Sequence, residues 1–588
     1  MATKEDEQGG RNGAVQADGR LKSEKYFQEK DLWGFIHRSF TKSMGYTEED
    51  LRKPVIGICN TFSELNKCHS HFNELVDYVK RGVWQAGGVP MEFPTISIGE
   101  PYIKPTSMLL RNLMAMDTEE MMRAHPIDGV VLLGGCDKTV PAQLMAAASV
   151  NIPAIVLTGG PMLNGRKNGR SLGACTDCYG FTLEHKAGNI TDEELASAEN
   201  SVCRSDGHCQ VMGTASTMAS IAEALGMALP GCAAIPAPDS RRRHMAERTG
   251  KMIVELVRRD IRPREIMTEA ALENAITVTM ASGGSTNAII HLVALSQRLG
   301  RKLPLEVFDA ISSRTPFILN LRPSGKYQME EYFEAGGVPA LMKELESHLH
   351  LDCLTVTGGT VRDNLRGAET LDRDVIRTAA EPLGSQGGVV VLRGNLAPNG
   401  SLIKQTAVSE HLKRHTGRAV VFESPADMEA RIDDPELDVD ENSVLVLKNA
   451  GPKGAPAMPE IGQIPIPKKL LVQGVRDMVR ISDARISGTS YGALIVHAAP
   501  EAAVGGNLAL VQDGDEIELD IAARRLELKV SDAELAERRK RWQAPQSHYD
   551  RGYGLLFHER VLQADLGCDF DFLLPKELRE ELLGAGGE

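Results

Sequence analysis

The sequence contains no apolar run approaching the roughly 20 residues that a membrane-crossing helix requires. Its opening stretch, MATKEDEQGGRNGAVQADGR, has no apolar core of the kind a secretory signal needs. Positive charge is in deficit: 66 Lys and Arg stand against 80 Asp and Glu, giving a net charge of −14. A chain without a phosphate-neutralising excess is a poor partner for nucleic acid. Cysteine is sparse, ten in 588 residues, which excludes a disulfide framework. No internal repeat is visible. These absences lead to the expectation of a cytoplasmic protein with reduced thiols, binding neither nucleic acid nor membrane. Residues 1–30 are expected to form a disordered polar tail.

What remains is a long chain of ordinary globular composition. Its 588 residues exceed what one hydrophobic core serves, so two or more domains are expected. Through the first 230 residues, apolar strands alternate with glycine turns and helices. The strands are read at residues 53–60, 90–99, 130–133 and 154–158. That alternation implies a parallel sheet covered by helices. Near residue 385 the texture changes. Short strands follow at 388–392, 419–422 and 444–447, then a ribbon over 509–530 containing DEIELDIAARRLELKV. Alternation in that ribbon implies half-exposed antiparallel strands. The expected organisation is an α/β domain over residues 31–385 and a β-rich domain over residues 386–588.

The chemistry is organised around residues 129–147, GVVLLGGCDKTVPAQLMAA. Cys136, Asp137 and Lys138 follow a buried strand and a Gly-Gly turn. They therefore occupy a strand's carboxyl end, where open α/β sheets place their ligands. A free buried cysteine beside a surface ion pair is the other reading. Cys68 precedes a helix whose Phe72, Leu75, Val79 and Val83 fall at helical spacing. Cys209 precedes a small-residue helix over residues 214–225. Three cysteines in loops that lead into helices suit an iron–sulfur cluster with one position not filled by cysteine. Such an open position is what a Lewis acid requires. Three unrelated buried thiols are the alternative.

Four further features stand out. Glu100 ends a strand and is either an oxygen ligand or a solvated loop residue. Glu460 lies in the rigid loop NAGPKGAPAMPEIG, and Ser487 and Thr489 in ISDARISGTSYG. Cys175 and Cys178 form a CxxC without the second ligand pair that zinc needs. In ASGGSTNAIIHLVAL, residues 282–287 read as a helix cap or a ligand contact, with the cap favoured, and His291 as a satisfied core histidine.

Together, NKCHSHF, GCDKTVPAQLMAAAS, CQVMGTASTM, GPKGAPAMPE and DARISGTSYG resemble the IlvD/Edd dehydratase family, over residues 32–574. The resemblance implies an N-terminal parallel-sheet α/β domain with a C-terminal β-barrel-like domain. It implies that Cys68, Cys136 and Cys209 hold a 2Fe-2S cluster; relatives lacking the first cysteine carry a 4Fe-4S cluster. Glu100, Asp137 and Glu460 match Mg²⁺ ligands, with carbamylated Lys138 as a further oxygen donor. Ser487 matches the base and Thr489 a substrate contact. The implied reaction dehydrates a 2,3-dihydroxy carboxylate to a 2-keto-3-deoxy acid in a homodimer or homotetramer. GEPYIKPTSMLLRNLMAMD and GGPMLNG look like the aldonate branch, acting on arabinonate or xylonate. Dihydroxy-acid dehydratase, acting on 2,3-dihydroxyisovalerate, is the alternative within the family. A non-catalytic iron–sulfur sensor is the alternative outside it.

Overall fold

A computed structural model describes residues 20–174 and 176–584. Its first sheet is built from four strands: β1 (Val55–Asn60), β2 (Val89–Pro94), β3 (Gly129–Gly134) and β4 (Ala154–Thr158). β1, β3 and β4 are buried at every position. Near-continuous apolar runs of this kind belong to parallel strands covered on both faces. The order is β2-β1-β3-β4, and every pairing is parallel. β2 lies at the edge, where Pro90 and Pro94 withhold their missing donors without breaking a central ladder. It stops at Pro94 rather than running to residue 99, so Glu100 sits in the loop beyond the sheet.

Helices pack on this sheet. Phe72–Gln85 buries Phe72, Leu75, Val79 and Val83, as their spacing implies. It crosses Ser240–Arg259 so closely that a Cβ at Gly82 would strike the Glu247 carbonyl, and one at Gly250 the Val79 carbonyl. Glycine at both positions permits that approach. Thr139–Val150, Thr214–Ala224 and Asn287–Arg298 are buried almost all round. Their small residues make such central placement possible. A short hairpin of β5 (Gly165–Lys167) and β6 (Arg170–Leu172) lies outside the main sheet.

The expected disordered tail does not reach residue 30. Lys22–Phe27 is helical with Phe27 buried, and the Ser23 amide donates to Asp128 at 2.9 Å. One aromatic anchor and one distant carboxylate order a segment whose composition alone reads as polar tail. Residues 1–19 lie outside the described residues, as does Cys175.

The second sheet has eight strands. They are β7 (Val390–Leu392), β8 (Gly400–Ile403), β9 (Arg414–Phe422), β10 (Val444–Leu447), β11 (Arg480–Ser482), β12 (Leu494–Ala499), β13 (Glu516–Asp520) and β14 (Arg525–Leu528). Their order is β14-β13-β9-β10-β11-β12-β8-β7, and a bridge between Arg393 and Arg525 nearly closes the sheet into a barrel. β13 and β14 are antiparallel with alternating burial, as the ribbon's pattern implies. β9 to β12 are parallel, which the sequence did not indicate. The reason lies in burial: Val444 and Val446 enter one apolar cluster, Leu445 and Leu447 another. Strands covered on both faces lose the polar alternation that marks a half-exposed sheet. Among the described residues, no helix is long and apolar enough to cross a membrane.

Candidate active site

The site forms where strand ends from the two sheets meet. β3 ends at Gly134, and the chain turns through Gly135 into Cys136, Asp137 and Lys138. The Gly135 and Cys136 amides donate to Thr139 Oγ1 at 3.1 and 3.0 Å, locking the turn onto the helix it starts. His69 supports it from the Cys68 loop: its Nε2 accepts from the Gly135 amide at 3.0 Å, and its Nδ1 lies 2.8 Å from the Thr61 carbonyl. Accepting at Nε2 requires the proton on Nδ1. Burial holds this imidazole neutral by pulling its pKa down to about 3.

Cys68 and Cys136 are buried, and Cys209 is half-buried. The Cys136 thiol is pushed well above its ordinary value by the Cys68 thiol beside it and by burial. The loop bearing Cys209 is stitched to the Cys68 loop. Lys67 Nζ donates to the Ser205 carbonyl at 2.7 Å, and Ser70 Oγ to Asp206 Oδ1 at 2.7 Å.

Beside the thiols lies a compact cluster of charge. Carboxylate oxygens of Glu100, Asp137 and Glu460 lie within 4.8 Å of one another, the one such trio of His, Cys, Asp or Glu among the described residues. Lys138 is 0% exposed, with Nζ 3.1 Å from Glu100, 3.3 Å from Asp137 and 3.1 Å from Glu460. Burial and Arg485 oppose its charge, but the three carboxylates outweigh them and raise its pKa well above the usual lysine range. Burial likewise opposes the charge on Glu100. Lys138 and Arg485 overcome that and hold its pKa at about 2. Thr106 Oγ1 donates to Glu100 at 2.8 Å, and Ser107 donates through its hydroxyl as well.

Glu460 arrives on the loop after β10, and Ser487 and Thr489 on the loop after β11. Both loops therefore leave carboxyl ends of parallel strands, as Cys136 does in the other domain. Ser487 Oγ and Thr489 Oγ1 are 2.8 Å apart. Gly488 between them presses on the first domain: a Cβ there would lie 2.7 Å from the Thr214 amide and from Ser285 Oγ.

Two further residues complete the junction: Arg485, which sequence reasoning did not assign, and Asn287, which it placed between helix cap and ligand contact. Arg485, fully buried, donates to Glu460 at 2.9 Å, to Thr106 Oγ1 at 2.8 Å and to the Met458 carbonyl at 2.9 Å. Asn287 Nδ2 reaches Glu460 at 3.1 Å, Thr214 Oγ1 at 3.0 Å and the Ile486 carbonyl at 3.0 Å. Of the two readings of 282–287, the cap is met by Ser285, whose Oγ accepts from the Asn287 amide at 3.2 Å, while Thr286 makes no side-chain capping bond. The segment's polar run next to glycines was the available signal. His291 accepts from Arg111 at 3.1 Å through Nδ1, while its buried Nε2 has no partner, so it is only half satisfied. Cys178 is exposed on the helix Thr176–Lys186.

The Glu460 loop is anchored by buried carboxyls behind it. Glu501 accepts from the Lys453 and Gly454 amides, each at 2.9 Å, and Asp483 from the Ala450 amide at 2.9 Å. Glu501→Ala strands two amides, that of Gly454 buried and that of Lys453 half-buried. At roughly 1–3 kcal/mol for each unsatisfied group, a loss of about 2–6 kcal/mol is expected in chemical denaturation. A loss below about 1 kcal/mol would mean that the loop holds itself.

Parallel strand ends from two domains, facing each other across an acid-rich junction, define a two-domain α/β enzyme. The model of the dihydroxy-acid/6-phosphogluconate dehydratase N-terminal region matches residues 53–364, and that of the C-terminal region residues 374–568. The chain belongs to this dehydratase family, and its chemistry is that of a hydro-lyase. It is 51% identical over 557 residues to an L-arabinonate dehydratase of Rhizobium leguminosarum bv. trifolii, covering 94% of this chain and 96% of the relative. It is 48% identical over 561 residues to a 6-deoxy-6-sulfo-D-gluconate dehydratase of Pseudomonas putida, covering 95% and 97%. A dihydroxy-acid dehydratase of Moorella thermoacetica is 44% identical over 531 residues, covering 88% and 94%.

Proposed function

We propose that this chain dehydrates an aldonic sugar acid, arabinonate or xylonate, to the 2-keto-3-deoxy acid and water. The observation that carries the reading is the meeting of the Glu100–Asp137–Glu460 trio with the Ser487 loop across the domain junction. The choice of a sugar acid is supported by relatives near 50% identity named for sugar acids, against 44% for the dihydroxy-acid enzyme.

The residues fit the cofactors of this chemistry. Three carboxylates converge at single-ion spacing, and oxygen donors suit Mg²⁺. The ammonium among them is the one misfit, and carbamylation of Lys138 would turn it into an oxygen donor. Cys68, Cys136 and Cys209 do not meet single-ion spacing, which suits donors to a polynuclear 2Fe-2S cluster better than donors to one ion. When bound, the Mg²⁺ would acidify the proton beside the substrate carboxylate and the cluster would supply a Lewis acid for the departing hydroxide.

The chain's own groups do the rest. Ser487 takes the C2 proton, with Thr489 orienting its hydroxyl. Arg485 and Asn287 hold Glu460 in place, and His69 holds the Cys136 turn. Loss of hydroxide from C3 leaves an enol, which tautomerises to the 2-keto acid. A homodimer or homotetramer in the cytoplasm is part of the proposal. The helix Leu32–Ser43 supports it by exposing Leu32, Trp33, Phe35 and Phe40, an apolar face of the kind subunits bury.

An anaerobic activity panel tests the substrate. The highest kcat/KM is expected on a pentonate, and a preference for 2,3-dihydroxyisovalerate would overturn the choice. Cys136→Ser is expected to abolish both visible iron–sulfur absorbance and turnover, whereas Cys178→Ser keeps both. Full absorbance in Cys136→Ser would remove that cysteine from the cluster.

A further inference from the structure

Lys404 follows β8 and is 3% exposed. Its Nζ lies 3.3 Å from the Gly488 carbonyl oxygen. Among the described residues no carboxylate stands within ion-pair distance of it. A lysine buried without a countercharge is costly and rare. Burial alone brings its pKa down to about 7.

The stretch that Lys404 begins brackets the Ser487 loop at both ends. Lys404 grips Gly488, and the Ala407 carbonyl accepts from the Gly492 amide at 2.8 Å. The stretch is itself pinned: Gln405 Nε2 donates to the Gly387 carbonyl at 2.6 Å, and Thr406 pairs with Ser324 at 2.9 Å. On its other side the loop rests on Thr214 and Ser285. Gly488 is thus clamped between a fixed ammonium and a fixed helix start. Ser487 and Thr489, on either side of it, are left with their hydroxyls 2.8 Å apart.

We infer that Lys404 is a positioning residue for Ser487: its buried ammonium holds the Gly488 carbonyl and so fixes the turn that presents the serine hydroxyl. The inference rests on Ser487 being the base proposed above.

Lys404→Met keeps the length of the stem and removes the charge. It is expected to lower kcat by about 10²-fold, the scale of a small misplacement of a reacting group. KM should stay within about threefold, because the lysine reaches the loop rather than the substrate. The thermal midpoint should hold or rise, since removing a lone buried charge relieves a burial cost. Lys404→Ala should lose kcat similarly and recover at least part of it, saturably, with added methylammonium. A purely structural role predicts the opposite pattern: a lower midpoint, kcat and KM worsening together, and no amine rescue. If Lys404→Met fails to fold, Lys404→Ala with and without methylammonium carries the test. Failure of both to fold assigns the residue to structure and overturns the inference. Ser487→Ala, assayed in parallel, separates the two claims. If it stays active, the base assignment falls; if it is inactive while Lys404→Met retains full kcat, only the Lys404 inference falls.

Discussion

Replacing Ser487 with alanine is expected to lower turnover at least about 100-fold, the scale of losing a general base. The fold should survive. Its hydroxyl pairs with Thr489 Oγ1 and accepts weakly from the Thr489 amide at 3.4 Å, and neither bond joins two domains. Removing it therefore costs about 0.5–1.5 kcal/mol, the usual worth of one hydrogen bond. The junction itself is held by Arg485, Asn287 and the Gly488 backbone, all of which the substitution leaves in place. Metal and cluster content should match the parent, because none of the cysteines or carboxylates contacts this hydroxyl. Exchange of the substrate's C2 proton with solvent, where the parent shows it, should disappear with turnover. The deciding measurement is kcat of the cluster-replete variant on its best acid. A value within a few-fold of the parent would move the proton abstraction to another group and leave Ser487 as a substrate contact.

Lys138→Met should have the second large effect, and it is one of sign as much as size. In the structure, three carboxylates face two cations, Lys138 and Arg485. Methionine leaves the acids to Arg485 alone. Removing one partner of a buried ion pair costs about 3–5 kcal/mol, because the charge left behind is uncompensated. In EDTA, chemical denaturation should therefore show the variant less stable by about that amount. Added Mg²⁺ should restore most of the loss, because a divalent cation can stand where the ammonium stood. In the parent, Mg²⁺ should stabilise more strongly when bicarbonate is present to carbamylate the amine. Turnover of Lys138→Met should be lost even with Mg²⁺, since methionine supplies no oxygen. A variant as stable as the parent in EDTA would show that the acids are protonated rather than neutralised by Lys138.

The parallel first sheet was legible because its strands are apolar at successive positions and end in glycine turns that lead into helices. The barrel was legible only at its antiparallel margin, where β13 and β14 alternate. Its parallel centre is joined by short helices, Pro425–Arg431 and Lys468–Val472, set within long irregular connections, which blurs the strand–helix rhythm that announces a βαβ unit. The site was legible residue by residue where chemistry is adjacent in sequence, as at Cys136, Asp137 and Lys138. The separated acids Glu100 and Glu460 became candidates through their motifs, and the fold brings them together. Arg485 and Lys404 escaped notice, and Asn287 stayed between cap and ligand contact, because their meaning is spatial. An asparagine at a helix start looks like a cap until its amide is found bridging two domains. A lysine after a strand looks solvated until its ammonium is found buried on a carbonyl.

The ion pair between Lys138 and Glu460 spans 322 residues of chain. A contact of such range forms late, after shorter loops have closed. During synthesis the first sheet can assemble its thiols while Lys138 still faces only Glu100 and Asp137. Without the barrel, Glu460 and Arg485 are missing from around Lys138, which leaves its amine more open to carbon dioxide and solvent. Docking of the barrel buries it. Carbamylation of Lys138 would therefore run faster before the barrel docks than after it, when bicarbonate must reach a buried amine.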